Sequence, residues 1–145
     1  MTIRIAWACD HGGFDLKSEL LKSFEDTEYK MTDLGVFSTE SVDYPDQAHL
    51  LANTVQSGDV DFGILICGTG IGVSIAANRH LGIRAALCTD PFMARMSREH
   101  NDANVLCLGG RVIGPSLAKE IVTAFLNGTF EGGRHAVRLT KIEIQ

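Results

Sequence analysis

Five short apolar runs punctuate the chain: IRIAWAC (3–9), YKMTDLG (29–35), DFGILIC (61–67), GIRAALC (82–88) and ANVLCLG (103–109). Their length and their polar or glycine-rich borders predict strands. The segments between them have helical spacing. FDLKSELLKSFED puts Leu16, Leu20 and Phe24 on one face, and YPDQAHLLANTVQ opens with a proline near its start. GPSLAKEIVTAFLNG carries Pro115 in its first turn and Gly128 after its end, and GGRHAVRLTKIEI predicts a last helix over about 133–143.

Strand and helix in alternation predict an α/β fold: a doubly wound, three-layer α/β/α domain with a five-stranded parallel sheet, Rossmann-like in plan. No linker, repeat or low-complexity stretch interrupts it, so residues 1–145 are expected to form a single domain. A chain of this length can bury roughly 70% of its unfolded surface.

Composition and charge narrow the functions. With 45% hydrophobic and 21% charged residues the chain is that of an ordinary globule. Its formal net charge of -5 argues against a nucleic-acid or membrane-surface partner, each of which calls for a basic face. The N-terminal residues hold too few apolar positions for a signal peptide. The longest uncharged run, Phe62 to Asn78, is too short to span a bilayer. Cys9, Cys67, Cys88 and Cys107 include no CxxC pair, so reduced thiols and a cytoplasmic location are expected.

Ligands of open parallel sheets bind outside the carboxyl ends of the strands. Three predicted strands end there in unusual sequence: Asp10-His11-Gly12-Gly13, Cys67-Gly-Thr-Gly-Ile-Gly72 and Gly109-Gly110-Arg111. If the first and third strands are neighbours, as in the 2-1-3 order of flavodoxin-like sheets, Asp10, His11 and Cys67 share one rim. Asp10 could equally cap the helix that follows it. Cys67 could be a small buried hydrophobe. Yet Gly68, Gly70 and Gly72 let main-chain N–H groups converge beside it, at the start of a helix, where a thiolate is stabilised. The spacing GxGxG is neither the dinucleotide fingerprint GxGxxG nor a Walker loop. Nor is it the Cys-x5-Arg loop of a phosphatase, since Val73 stands in the arginine's place.

SREHNDAN, with His100, Asn101 and Asp102, leads into the fifth strand from below or lies on a loop beside it. Arg134 and Arg138 are four apart and so share a helix face. With Arg111 they could grip a phosphate bidentately, or simply be solvated. Cys9 and His11 near Cys67 superficially resemble zinc ligands, but C-x-H points its side chains awkwardly and lacks a fourth ligand; no metal is expected.

ACDHGGFDLK, DYP, ILICGTGIGVSIAANR, SREHNDANVLCLGGRVIG and FEGGRHAVRLTKI together resemble the type B ribose-5-phosphate isomerase family, which includes the galactose-6-phosphate isomerase subunits. The resemblance runs almost end to end. It implies a cofactor-free and metal-free aldose–ketose isomerase of phosphorylated sugars, working as a homodimer or homotetramer with active sites built between subunits. Interconversion of ribose 5-phosphate and ribulose 5-phosphate through an enediolate is the implied activity. Allose or galactose 6-phosphate, a free aldose, or a non-catalytic phosphosugar-binding role are the alternatives.

Carried over by position, Cys67 would be the base between C1 and C2, assisted by Thr69. Gly68, Gly70, Ile71 and Gly72 would form the anion hole. His100 would open the furanose ring, while Asp10, His11, Asn101 and Tyr44 would hold substrate. Arg111, Arg134 and Arg138 would bind phosphate, some from the partner subunit, on which the C-terminal helix would pack. One subgroup of the family uses a glutamate just beyond the glycine turn as base; here Val73, Ser74 and Ile75 occupy those positions, leaving the proton to Cys67.

Overall fold

The computed structural model describes residues 1–144. The elements alternate in chain order: β1 (Arg4–Cys9), a 3-10 turn (His11–Gly13), α1 (Phe14–Ser23), β2 (Lys30–Asp33), α2 (Tyr44–Gln56), β3 (Phe62–Cys67), α3 (Ile71–Ala77), β4 (Ala85–Leu87), α4 (Pro91–Glu99), β5 (Val105–Gly109), α5 (Pro115–Asn127) and α6 (Arg134–Leu139). All five strands are parallel and lie in the order β2-β1-β3-β5-β4. This is the expected doubly wound sheet, with β1 beside β3. The last helix is shorter than the expected 133–143. It stops at Leu139, and Thr140 caps it through N–H bonds back to Ala136 and Arg138 carbonyls.

The central strands are apolar on both faces because both faces are covered. One core gathers Ile5, Trp7, Ile64, Ile66, Leu106 and Leu108 against Leu16 and Leu20 of α1, Ala94 of α4, and Ile121 and Phe125 of α5. The other sets Ala6, Ala8, Leu65, Val105 and Cys107 against Leu51 and Val55 of α2 and Val73 and Ala77 of α3. Crossovers toward β2, and from β4 back to β5, use the first face; those in the opposite direction use the second. One hand is kept throughout, as packing of right-twisted strands demands. The edge strands β2 and β4 are short and partly exposed, which limits unwanted pairing.

The chain reverses its winding direction between β1 and β3, and that switch point opens a crevice at their carboxyl ends. All four cysteines are buried and free. Among the described residues no helix is long and apolar enough to cross a membrane.

Candidate active site

Three loops meet above the switch point, and they meet backbone to backbone. Gly110 N–H donates to the Cys67 carbonyl at 2.8 Å, and Arg111 N–H to the Gly68 carbonyl at 3.0 Å. A Cβ on Gly109 would sit 2.7 Å from the Thr69 carbonyl oxygen, and one on Gly110 would sit 2.7 Å from that of Gly12. Side chains at either place would push the loops apart. Gly70 is needed for a second reason: its φ of +82° lies in the left-handed region, which a side chain disfavours. That conformation turns the Gly70 N–H onto Cys67 Sγ at 3.1 Å. The bare turn thus seats the loops and aims a donor at sulfur.

Cys67 is only 5% exposed, yet it lines a cavity of about 440 Å³ together with Asp10, Tyr44, Gly68, Thr69, Ile71, Gly72 and Ile75. The Tyr44 ring lies over Gly72, where a Cβ would come within 2.5 Å of it. Thr69 Oγ1 accepts from the Ile71 N–H at 3.2 Å, which fixes its hydroxyl on the helix entrance. Asp10 both caps the 3-10 turn, accepting from Gly12 N–H at 2.9 Å, and faces this cavity. His11 Nδ1 accepts from the Val42 N–H at 3.2 Å, so in its neutral form this ring carries the proton on Nε2. Arg111 reaches back over Gly68, its Nη1 3.3 Å from where a Cβ of that glycine would be.

The other three thiols lie in the core. Burial pushes Cys9 and Cys88 up to about 11, and Cys107, wholly enclosed, well above the usual thiol range. They are inert core residues.

His100 is elsewhere. It caps the carboxyl end of α4, which runs back down the sheet, so its imidazole lies at the amino edge of β5. Cys67 pairs with Gly109 at the opposite end of that strand. Five residues of strand separate the two edges by roughly 15 Å. Of the two placements the sequence left open for SREHNDAN, the approach from below is the one found. Asn101 lines a different cavity, of about 740 Å³, beside Asn78, Arg84 and Ile142. Arg134 and Arg138 ride on α6, at the same edge as His100.

That edge holds a second cluster. His100 stacks on His135 with ring centroids 4.2 Å apart and planes 12° from parallel. Glu131 Oε1 lies 3.4 Å from His100 Nε2 and 3.5 Å from His135 Nε2. The Glu131 N–H donates to the Glu99 carbonyl at 3.0 Å and ties this segment to the end of α4. Burial first, then the neighbouring His100 and Arg134, hold the His135 imidazole below its ordinary value.

The sequence signature of the family described as Ribose/Galactose Isomerase matches residues 5–142. The chain belongs to the ribose/galactose isomerase family. It is 50% identical over 139 residues to ribose-5-phosphate isomerase B of Escherichia coli, covering 96% of this chain and 93% of that one. Its fold matches ribose-5-phosphate isomerase B of Clostridium thermocellum with a TM-score of 0.95 at 54% identity, covering 97% and 95% of the two chains. The enzyme of Mycoplasma genitalium, solved with bound ribulose-5-phosphate, matches with a TM-score of 0.92 at 43% identity, covering 98% and 95%.

For a sugar isomerase of this family, the arrangement divides the expected residues into two groups. Asp10, His11, Tyr44, Cys67 to Gly72 and Arg111 share the carboxyl rim; His100, Arg134 and Arg138 share the amino edge. Glu131 and His135 escaped sequence reasoning. Both stand inside the quoted segment FEGGRHAVRLTKI, and the i,i+4 spacing of Glu131 and His135 was a signal for them.

Proposed function

We propose that this isomerase interconverts ribose 5-phosphate and ribulose 5-phosphate through an enediolate, with Cys67 as the base. One observation carries the reading: a sulfur at a cavity wall accepts a main-chain N–H at 3.1 Å, from a glycine turn opening a helix. Moving hydrogen between C1 and C2 needs a base for a carbon acid and donors for the oxygen that gains charge. Cys67 thiolate takes the proton from C2 and returns it to C1. The N–H groups of Gly68 to Gly72 stabilise the oxyanion, a contribution of about 3 kcal/mol per donor in comparable sites. Thr69 assists in moving protons at the hydroxyl oxygens. Asp10, His11 and Tyr44 hold the sugar.

The aldose is mostly cyclic in water, so a group must move a proton from the anomeric hydroxyl to the ring oxygen. An imidazole can accept one proton and donate another, and His100 has that role. Arg111, Arg134 and Arg138 hold the phosphate, whose binding energy orients the reacting end, and Asn101 holds substrate with them. Because His100 and the two helix arginines lie a strand's length from Cys67 of their own chain, the site is completed by a second copy. Ile71 and Ile75, about half exposed at the mouth of the cavity, offer an apolar face for it. The working unit is a homo-oligomer.

The test is turnover in deuterated water over a panel of five- and six-carbon sugar phosphates and free aldoses. Ribose 5-phosphate should give the highest kcat/KM, and its ketose product should carry deuterium at C1. A higher kcat/KM for a six-carbon phosphate would replace the substrate. Binding without deuterium entry would refute the chemistry.

A further inference from the structure

The cluster at the amino edge adds to His100 two groups, Glu131 and His135, to which the proposed reaction gives no role. His100 Nε2, Glu131 Oε1 and His135 Nε2 all lie within 4.8 Å of one another. Among the described residues it is the one group of three such side chains so placed. Two imidazoles and a carboxylate are the ligand set of open zinc sites, with a fourth position left for water. Metal–ligand bonds of about 2.0–2.1 Å put tetrahedral donors about 3.3–3.4 Å apart. The two contacts to Glu131, 3.4 and 3.5 Å, already have that spacing.

The frame that carries the three donors is fixed. His100 ends α4, and Glu131 is bound to the adjacent Glu99 carbonyl. Glu131 and His135 are linked across Gly132 and Gly133, both with positive φ, and His135 N–H donates to the Gly132 carbonyl at 3.1 Å. His135 is buried, whereas the side chains of His100 and Glu131 are 38% and 50% exposed. The two rings are stacked, so their lone pairs lie in nearly parallel planes. Convergence on one ion requires His100, the exposed member, to swing its ring away from His135.

We propose that His100, Glu131 and His135 form a binding site for a divalent transition ion of the zinc class, separate from the Cys67 cavity of the same chain. Imidazole and carboxylate donors favour zinc, nickel or cobalt over magnesium or calcium. The proposed isomerase reaction runs without the ion. Its occupancy instead takes His100 Nε2 out of use, so the bound ion is a reversible inhibitor of ring opening. That consequence, unlike the site itself, rests on the ring-opening role given to His100.

The experiment titrates the intact protein with Co²⁺ and Zn²⁺ in the absence of sugar, reading cobalt absorption and competition with a chelating dye. One equivalent per chain is expected, with visible bands of low-coordinate nitrogen and oxygen ligation and no sulfur-to-cobalt charge transfer. His135→Asn and Glu131→Gln should each weaken binding at least about tenfold, while His80→Asn, which alters the exposed His49–His80 pair, should leave it unchanged. A sulfur band, a loss caused by His80→Asn, or binding indifferent to His135→Asn and Glu131→Gln would overturn the site. Inhibition is read separately. Zinc should slow consumption of ribose 5-phosphate while sparing deuterium exchange into ribulose 5-phosphate, which has no ring to open. Binding at the cluster with both reactions unaffected would keep the site and overturn its inhibitory effect; binding with both slowed equally would assign the inhibition to something other than ring opening.

Discussion

Replacing Cys67 by alanine removes one atom from a wall of the cavity and little else. The residue is 5% exposed and ends a central strand, and its sulfur accepts one N–H from Gly70. The stability loss should be about 1 kcal/mol, the cost of deleting one methyl-sized group at a site that borders solvent. The buried Gly70 N–H also loses its sulfur acceptor, which raises the loss to about 2 kcal/mol. Catalysis should fall much further. A positioned base contributes about 10²- to 10⁴-fold, equivalent to about 2.7–5.4 kcal/mol in the barrier. The assay follows ketose formation from ribose 5-phosphate, together with deuterium entry at C1 and calorimetric binding of the sugar. The expected variant binds ribose 5-phosphate near the wild-type affinity, unfolds within a few degrees of it, and loses turnover and exchange together. Cys107→Ala supplies the contrast. Its thiol lies in the core with its pKa far above neutrality, so this change should cost stability and leave kcat intact. A folded Cys67→Ala protein that binds the sugar and turns it over at the wild-type rate would refute the assignment of the base.

His100→Asn should reduce kcat/KM for ribose 5-phosphate about 10²-fold or more, while deuterium exchange into the acyclic ribulose 5-phosphate is largely kept; equal losses in both would remove His100 from ring opening. Gly70→Ala forces a side chain onto a φ of +82° and within 2.9 Å of the Leu108 carbonyl carbon. It should destabilise the fold by at least roughly 1–2 kcal/mol, the cost of the left-handed conformation, read as a lower melting temperature, and lower kcat along with it by displacing the donor to sulfur. Unchanged kcat in the folded variant would count against the anion hole. The His135 and His80 rings titrate below the usual 6.5, His135 through burial, His100 and Arg134, and His80 through burial and His49. The unfolded chain therefore binds more protons between those depressed values and 6.5. Their contribution to stability is complete above 6.5 and is lost as pH falls through that window. Melting temperature should drop on acidification from pH 7 toward 5.5, with a shallower slope in His135→Asn; identical slopes would contradict the direction of the shift.

The alternation of apolar runs and amphipathic segments sufficed for the class of fold, since a strand covered on both faces reads as an unbroken apolar run. The carboxyl-rim half of the site was legible for a related reason. Asp10 and His11 directly follow one strand and Cys67 ends another, and chain direction alone puts the ends of parallel strands on one side. The exposed strand ends and the glycine spacing after Cys67 were thus local information.

Other features depended on contacts between segments far apart in sequence. β5 inserts between β3 and β4, an order that hydrophobic periodicity does not encode, because it records whether a residue is buried and not what lies beside it. That insertion puts Gly109 and Gly110 against the Cys67 loop. The backbone bond from Glu131 to Glu99 brings Glu131 and His135 to His100, across some thirty residues of chain. The same chain direction that gathers Cys67 with Asp10 sends His100 to the opposite edge. What the sequence by itself determined was the layered sheet and which residues crown it. What only the tertiary structure decided was the division of the reactive groups between two edges, because a side chain's partners are set by packing across the fold.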